Sequence, residues 1–114
     1  MQRLLLIAAV LVAGCSKGPE ADLQYISKAR SLGAEWALVN EQSSAGKLTE
    51  NYTQTMRDAF REELKTASSS LTQPNSDYAG EIGALLAEPD DATPAQLRAH
   101  ADKLKRIEDS LESA

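Results

Sequence analysis

Tyr52, Met56, Phe60, Leu64, Ala67 and Leu71 follow one another at intervals of 4, 4, 4, 3 and 4 residues. An α-helix stacks residues so spaced on one face, where they can be buried together. This stripe predicts a helix from about Glu50 to Ser70. Thr49 stands before it as an N-cap, and Gln73-Pro74-Asn75 breaks the chain after it. One amphipathic helix of this kind cannot fold alone; it requires other helices to cover its apolar face.

The rest of the chain supplies them. Leu23, Ile26, Ala29, Leu32, Trp36 and Val39 predict a longer helix from about Glu20 to Ser44. Gly33 inside it lowers helix propensity and permits a close crossing. Gly46 occupies the place of a C-terminal cap. A break this short makes the first two helices antiparallel neighbours. A shorter helix is expected from Asp77 to Ala87, with Tyr78, Ile82, Leu85 and Leu86 facing inward. Glu88-Pro89-Asp90-Asp91 reads as a solvated acidic loop. Thr93-Pro94-Ala95-Gln96 then reads as a helix start: Thr as N-cap, Pro in the first turn and Gln at the reciprocal capping position. The last helix carries Leu97, Ala101, Leu104, Ile107 (or Glu108) and Leu111, a narrow seam expected to pack on the first two helices or on a second copy. Only 4% of the residues are aromatic, and Ala, Leu, Glu and Gln abound, which favours helix over sheet. The expected fold is all-α: a small antiparallel bundle of three long helices and one short one, spanning residues 21–114.

The amino terminus has a different character. Met1-Gln2-Arg3 is followed by LLLIAAVLVA, ten apolar residues from Leu4 to Ala13. As a helix this run rises about 15 Å, half of a bilayer core. It is too short for a stable span and suits the apolar region of a secretion signal. The run leads into Val12-Ala13-Gly14-Cys15. This junction resembles the lipobox of bacterial lipoproteins: an aliphatic residue, a small one, Gly or Ala, then Cys. The resemblance covers residues 1–15. It implies a signal peptide over residues 1–14, cleavage before Cys15, and a covalent diacylglycerol with an N-acyl chain on Cys15. Residues 15–20 would then be the lipidated cysteine and a Gly- and Pro-containing tether, with the first helix starting near Ala21. Ser16, rather than Asp, follows the cysteine, which in the same family implies sorting to the outer membrane, periplasmic face.

Charge narrows the partners. The net charge of −5 becomes more negative when Arg3 leaves with the signal. Such acidity opposes nucleic-acid binding and electrostatic docking on anionic lipid, so a hold on a membrane has to come from acyl chains. Cys15 is the one cysteine, which leaves no internal disulfide.

Residues able to do chemistry are sparse. His100 is the one histidine; it lies at the edge of the last seam and reads as a solvated or boundary residue. Glu88, Asp90 and Asp91 lack the ligand spacing and Gly of a calcium loop. Asp58, Glu62 and Glu63 alternate with Arg57, Arg61 and Lys65 as a salt-bridged outer face. Gly46-Lys47-Leu48-Thr49 lacks the first Gly of a phosphate loop. The serines at 43, 44 and 68–70 have no histidine nearby. No catalytic residue, metal ligand or non-covalent cofactor is expected. Tyr25, Trp36 and Tyr52 read first as core packing; as a partly exposed patch they are candidate contacts for a partner, because aromatics anchor interfaces. The expected function is a membrane-anchored, non-enzymatic module that binds an envelope protein or itself. The alternative is a carrier holding a small ligand or lipid between its helices.

Overall fold

The computed structural model describes residues 18–113. Four α-helices follow one another: α1 (Pro19–Ser44), α2 (Glu50–Ser69), α3 (Asp77–Leu86) and α4 (Pro94–Glu112). No strand occurs among the described residues. The expected signal, the lipobox residues Val12, Ala13, Gly14 and Cys15, and most of the tether lie outside the described residues.

Local chemistry sets each boundary. Pro19 begins α1, two residues earlier than the tether reading placed it. The ring of Pro suits the first helical position, where the missing N–H bonds nothing in any case. Gly18, at φ 88°, turns the chain into that start. At the other end Gly46, at φ 75°, allows Lys47 N–H to reach Gln42 O at 3.0 Å and its own N–H to reach Ser43 O at 3.0 Å. This pair of bonds is a Schellman motif, and it satisfies two carbonyls the helix would otherwise leave open. Thr49 Oγ1 accepts from Tyr52 N–H at 3.1 Å to start α2. Ser76 Oγ accepts from Ala79 N–H at 3.1 Å to start α3. At α4 the capping box is complete: Gln96 N–H donates to Thr93 Oγ1, and Thr93 N–H donates to Gln96 Oε1, both at 3.1 Å.

Cross-helix pairs fix the topology. Lys28 meets Glu63 and Asn40 meets Arg57, so α2 runs antiparallel to α1. Arg30 meets Glu108 and Glu41 meets Arg98, so α4 also runs antiparallel to α1. Helix α3 is antiparallel to α4, through Glu81 with Lys103 and Glu88 with His100. The most extensive contact is α1 with α4. Helix α4 packs on α1 and α3 and does not meet α2, which corrects the expectation that it would lie on the first two helices. Helices α1 and α3 stand between the other two.

Helix α1 touches all three others, and its buried surface is correspondingly wide. Ile26, Ala29, Leu32, Trp36 and Val39 are buried as the stripe predicts, but so are Asp22, Gly33, Ala37 and Asn40. The core gathers the apolar ones, Ile26, Ala29, Leu32, Trp36, Ala37 and Val39, with Phe60, Leu64, Tyr78, Ile82, Leu85, Leu97 and Leu104. Each fully buried Leu or Ile stabilises the fold by about 1.5–3 kcal/mol before chain entropy is subtracted. Gly33 marks the tightest approach. A Cβ there would lie 3.2 Å from Leu85 Cδ2 and 3.6 Å from the Ala101 Cβ.

Candidate functional site

His100 acquires neighbours that the sequence keeps far away. It projects from α4 toward α3, where its Nδ1 lies 2.5 Å from Glu81 Oε2. Its Nε2 lies 2.7 Å from Glu88 Oε2, in the loop after α3. The three side chains are largely covered, at 18%, 12% and 18% exposure for His100, Glu81 and Glu88. His100 is therefore a boundary residue that cross-links α4 to α3 and the following loop, not a solvated one. Lys103 Nζ approaches the second oxygen of Glu81 at 3.4 Å, and Gln96, Ala99 and Arg106 complete the shallow cleft around it.

The protonation state follows from counting donors. A neutral imidazole has one N–H, and a carboxylate can only accept. Both contacts are hydrogen bonds only when the ring is an imidazolium. Burial alone pulls the His100 pKa down, but the hydrogen bonds and negative charges of Glu81 and Glu88 outweigh it and raise it above the ordinary 6.5. The same arrangement limits the chemistry. A general base needs a ring nitrogen facing its substrate, and here a carboxylate covers each one. The two carboxylates sit on different ring nitrogens and do not converge on one point. Among the described residues no group of three His, Cys, Asp or Glu is placed to hold a metal ion.

A second polar cluster holds the segment from Leu86 to Ala92. Arg61, on α2, donates to Asp90 Oδ1 at 2.9 Å, Leu86 O at 2.8 Å and Glu88 O at 2.6 Å. Its guanidinium lies 4.8 Å from the centre of the Trp36 ring, within cation–π range. Trp36 Nε1–H donates to Asp90 O at 3.1 Å. Asn40 Nδ2 donates to Asp90 O at 3.0 Å and to Ala92 O at 2.8 Å, while its Oδ1 accepts from Arg57 at 3.0 Å. Two expectations change. The acidic loop is not simply solvated, because Asp90 and Glu88 are its anchors. Arg57 and Arg61 do not belong to an outer face; they turn inward. The Arg61 hydrogen bond holds the Asp90 carboxyl below its ordinary value against the upward push of burial, with help from Gln54.

At the far end of α1, Asp22 is fully buried. Its carboxylate accepts from Thr72 N–H at 2.9 Å, Gln73 N–H at 3.3 Å and the Tyr78 hydroxyl at 2.6 Å. Burial, then the bond to Asp22, pushes the Tyr78 pKa up to about 12. Acidic residues in a first helical turn are commonplace, so nothing in the sequence singled Asp22 out. Glu108 is likewise buried and accepts from Arg30 Nε at 2.7 Å.

No protein-family model, curated protein or solved structure matches this chain. The candidate contact residues therefore stand on geometry alone, and the geometry separates them. Trp36 is fully buried and presents no surface to a partner. Tyr52 is 50% exposed; Thr53 takes the buried position at that end of α2. Tyr25 is half-buried and lines an open groove of about 350 Å³ between α1 and α2, with Lys28, Glu63 and Ala67. The core beneath is closed, with Ile26 and Leu64 at zero exposure. Tyr25 and Tyr52 remain available at the surface; Trp36 does not.

Proposed function

We propose that this chain is a bacterial lipoprotein, anchored through Cys15, whose helical body serves as a non-enzymatic interaction module of the cell envelope. The observation that carries this reading is the junction Val12-Ala13-Gly14-Cys15, set directly behind the apolar run from Leu4 to Ala13. Two or three acyl chains on one residue, at about 0.8 kcal/mol per buried CH₂, make attachment effectively permanent. Helix α1 starts at Pro19, so the body sits no more than about 14 Å from the lipidated residue. The Asp22 end of the bundle then faces the bilayer, and the Leu86–Ala92 segment points away from it. Ser16 after the cysteine favours the periplasmic face of the outer membrane. An interaction role suits a body whose histidine has both ring nitrogens occupied and whose core is closed. The partner is another envelope protein or a second copy. Metabolic labelling with a fatty acid tests the anchor: the natural chain takes up label, and Cys15→Ser abolishes it and leaves the signal uncleaved. Label that survives the substitution overturns the reading. Crosslinking in native envelopes tests the module; an unlinked monomer counts against it.

A ligand or lipid carrier is the second reading, favoured by the groove beside Tyr25 and Ala67. A fluorescent fatty acid that binds the purified protein and is displaced by Ala67→Trp supports it. Binding unaffected by that substitution removes the groove from consideration.

A further inference from the structure

Helix α3 is poorly equipped to stand alone. It has ten residues, below the length at which isolated helices persist in water. Gly80 and Gly83 lie within it, and each costs about 1 kcal/mol relative to Ala in a helix interior. Its inward residues Tyr78, Ile82 and Leu85 hold one side. Beside that core contact, ion pairs tie Glu81 of α3 and Glu88 of the following loop to His100, and Glu81 to Lys103, on α4.

We infer that His100 is a proton-operated fastener: as imidazolium it ties α3 and the loop behind it to α4, and on losing its proton it releases one of the two ties. The charged groups facing the ring are Glu81 from α3, Glu88 from the loop, and Lys103 and Arg106 from its own helix. They decide which tie fails. Glu81 keeps Lys103 whatever the state of the ring. Among the described residues the Glu88 side chain has no ion pair besides His100. In the neutral ring a single N–H remains, and a lone pair turns toward the other carboxylate. Two acceptors then face each other in a covered site, an unfavourable contact. Losing Glu88, two residues past the end of α3, leaves Glu81 with Lys103 as the ionic tie of that region to α4. The C-terminal half of α3 loosens without global unfolding, because Arg61, Trp36 and Asn40 still grip the loop backbone.

The sign is fixed by linkage. A pKa raised in the folded state contributes stability that is complete below the ordinary histidine value and is lost as pH rises through the folded value. Helix α3 is therefore tightest in mild acid and loosens toward alkaline pH. A protein whose surroundings follow the external medium would sense acidity in this way.

Amide hydrogen exchange on the full chain, with rates corrected for the intrinsic effect of pH, tests the inference. Between about pH 5.5 and about pH 8.5, a range that brackets histidine titration, protection of the α3 amides falls by about tenfold or more, the scale of one charge-assisted hydrogen bond. Protection in α2 stays level. The His100 ring signals, followed by NMR, move with a midpoint above the ordinary value and in step with the loss. His100→Arg keeps a permanent charge and forked donors, so α3 protection becomes high and flat with pH. His100→Gln makes it low and flat. The inference is overturned if wild-type α3 protection does not change while the ring titrates, or if the ring titrates at or below the ordinary value. Both of those readings need no variant, so a substitution that fails to fold does not blunt the test.

Discussion

The α2–α3 loop and the α3–α4 loop are secured at opposite ends of the bundle by opposite chemistry. At one end a carboxylate, Asp22, collects donors: the amides of Thr72 and Gln73 and the Tyr78 hydroxyl. At the other, donors reach for carbonyls: Arg61, Trp36 and Asn40 bind the oxygens of Leu86, Glu88, Asp90 and Ala92. The two anchors on α1, Asp22 and Trp36, are separated by about 20 Å along the helix. The difference lies in which backbone groups each loop leaves open. The C-terminus of α3 presents open carbonyls, and N–H donors answer them. The stretch that leads into the N-terminus of α3 presents open amides, and a carboxylate answers those. Both ends hold titratable side chains: Asp22 and Tyr78 at the first, Asp90 and His100 at the second.

Substitutions at the two ends test that contrast. The largest effect belongs to Asp22→Ala, about 3 kcal/mol of unfolding free energy, because a buried hydroxyl and two amides lose their acceptor together. A denaturant midpoint that barely moves would mean water replaces the carboxylate without penalty. Arg61→Ala comes next, at about 2 kcal/mol. Arg61→Lys should recover little of this, since an ammonium cannot span three acceptors in a planar fork. Tyr78→Phe follows at about 1.5 kcal/mol, one hydrogen bond to a charged acceptor. The smallest is Tyr52→Ala, within about 0.5 kcal/mol, as suits an exposed residue with no specific anchor.

The pH profile separates the two anchors further. Tyr78 keeps its proton to about 12, so the Asp22 end loses nothing across the neutral range by Tyr78 ionisation. At the other end Asp90 has a lowered pKa; its share of stability is present above the ordinary carboxyl value and is lost as pH falls through the folded value. His100 is lost in the other direction. Stability contributed by this end is therefore greatest between the two titrations. Asp90→Asn should shrink the acid limb of a stability–pH curve and leave the alkaline limb in place. An unchanged acid limb would show that Asp90 is not its source.

Much of the architecture could be read from local signals. The boundaries at Thr49, Gly46 and Thr93 depend on neighbours within a few residues, and each cap forms as its residue type dictates. The buried stripe of α2 was legible only in part. Residues four apart advance about 400° around a helix, so each such step drifts about 40°. From Phe60 back to Tyr52 the drift reaches about 80°, which carries Tyr52 out to solvent. Thr53, seven residues before Phe60, stays within about 20° of it, and it is the one buried. Long-range polar partners were not legible. Asp22 and Thr72 are separated by fifty positions, and nothing near either residue announces the other. His100 looked isolated for the same reason: its two glutamates come from a different helix and a loop. The width of the α1 face was also hidden, because Gly33, Ala37 and Asn40 are too small or too polar to join an apolar stripe, although contact with three helices buries them.

Gly33 carries a lesson for anyone wishing to toughen this scaffold. The usual route of replacing helical glycines with alanine has its least room here, since a methyl group at 33 would lie 3.2 Å from Leu85 Cδ2 and push that side chain aside by a few tenths of an ångström. Gly80 and Gly83 have nothing within 4 Å of a would-be Cβ, and alanine at each should add roughly 0.4–1 kcal/mol by restricting the unfolded chain. Of these three glycines, two are spare capacity for engineering and one is a spacer whose replacement has to displace Leu85.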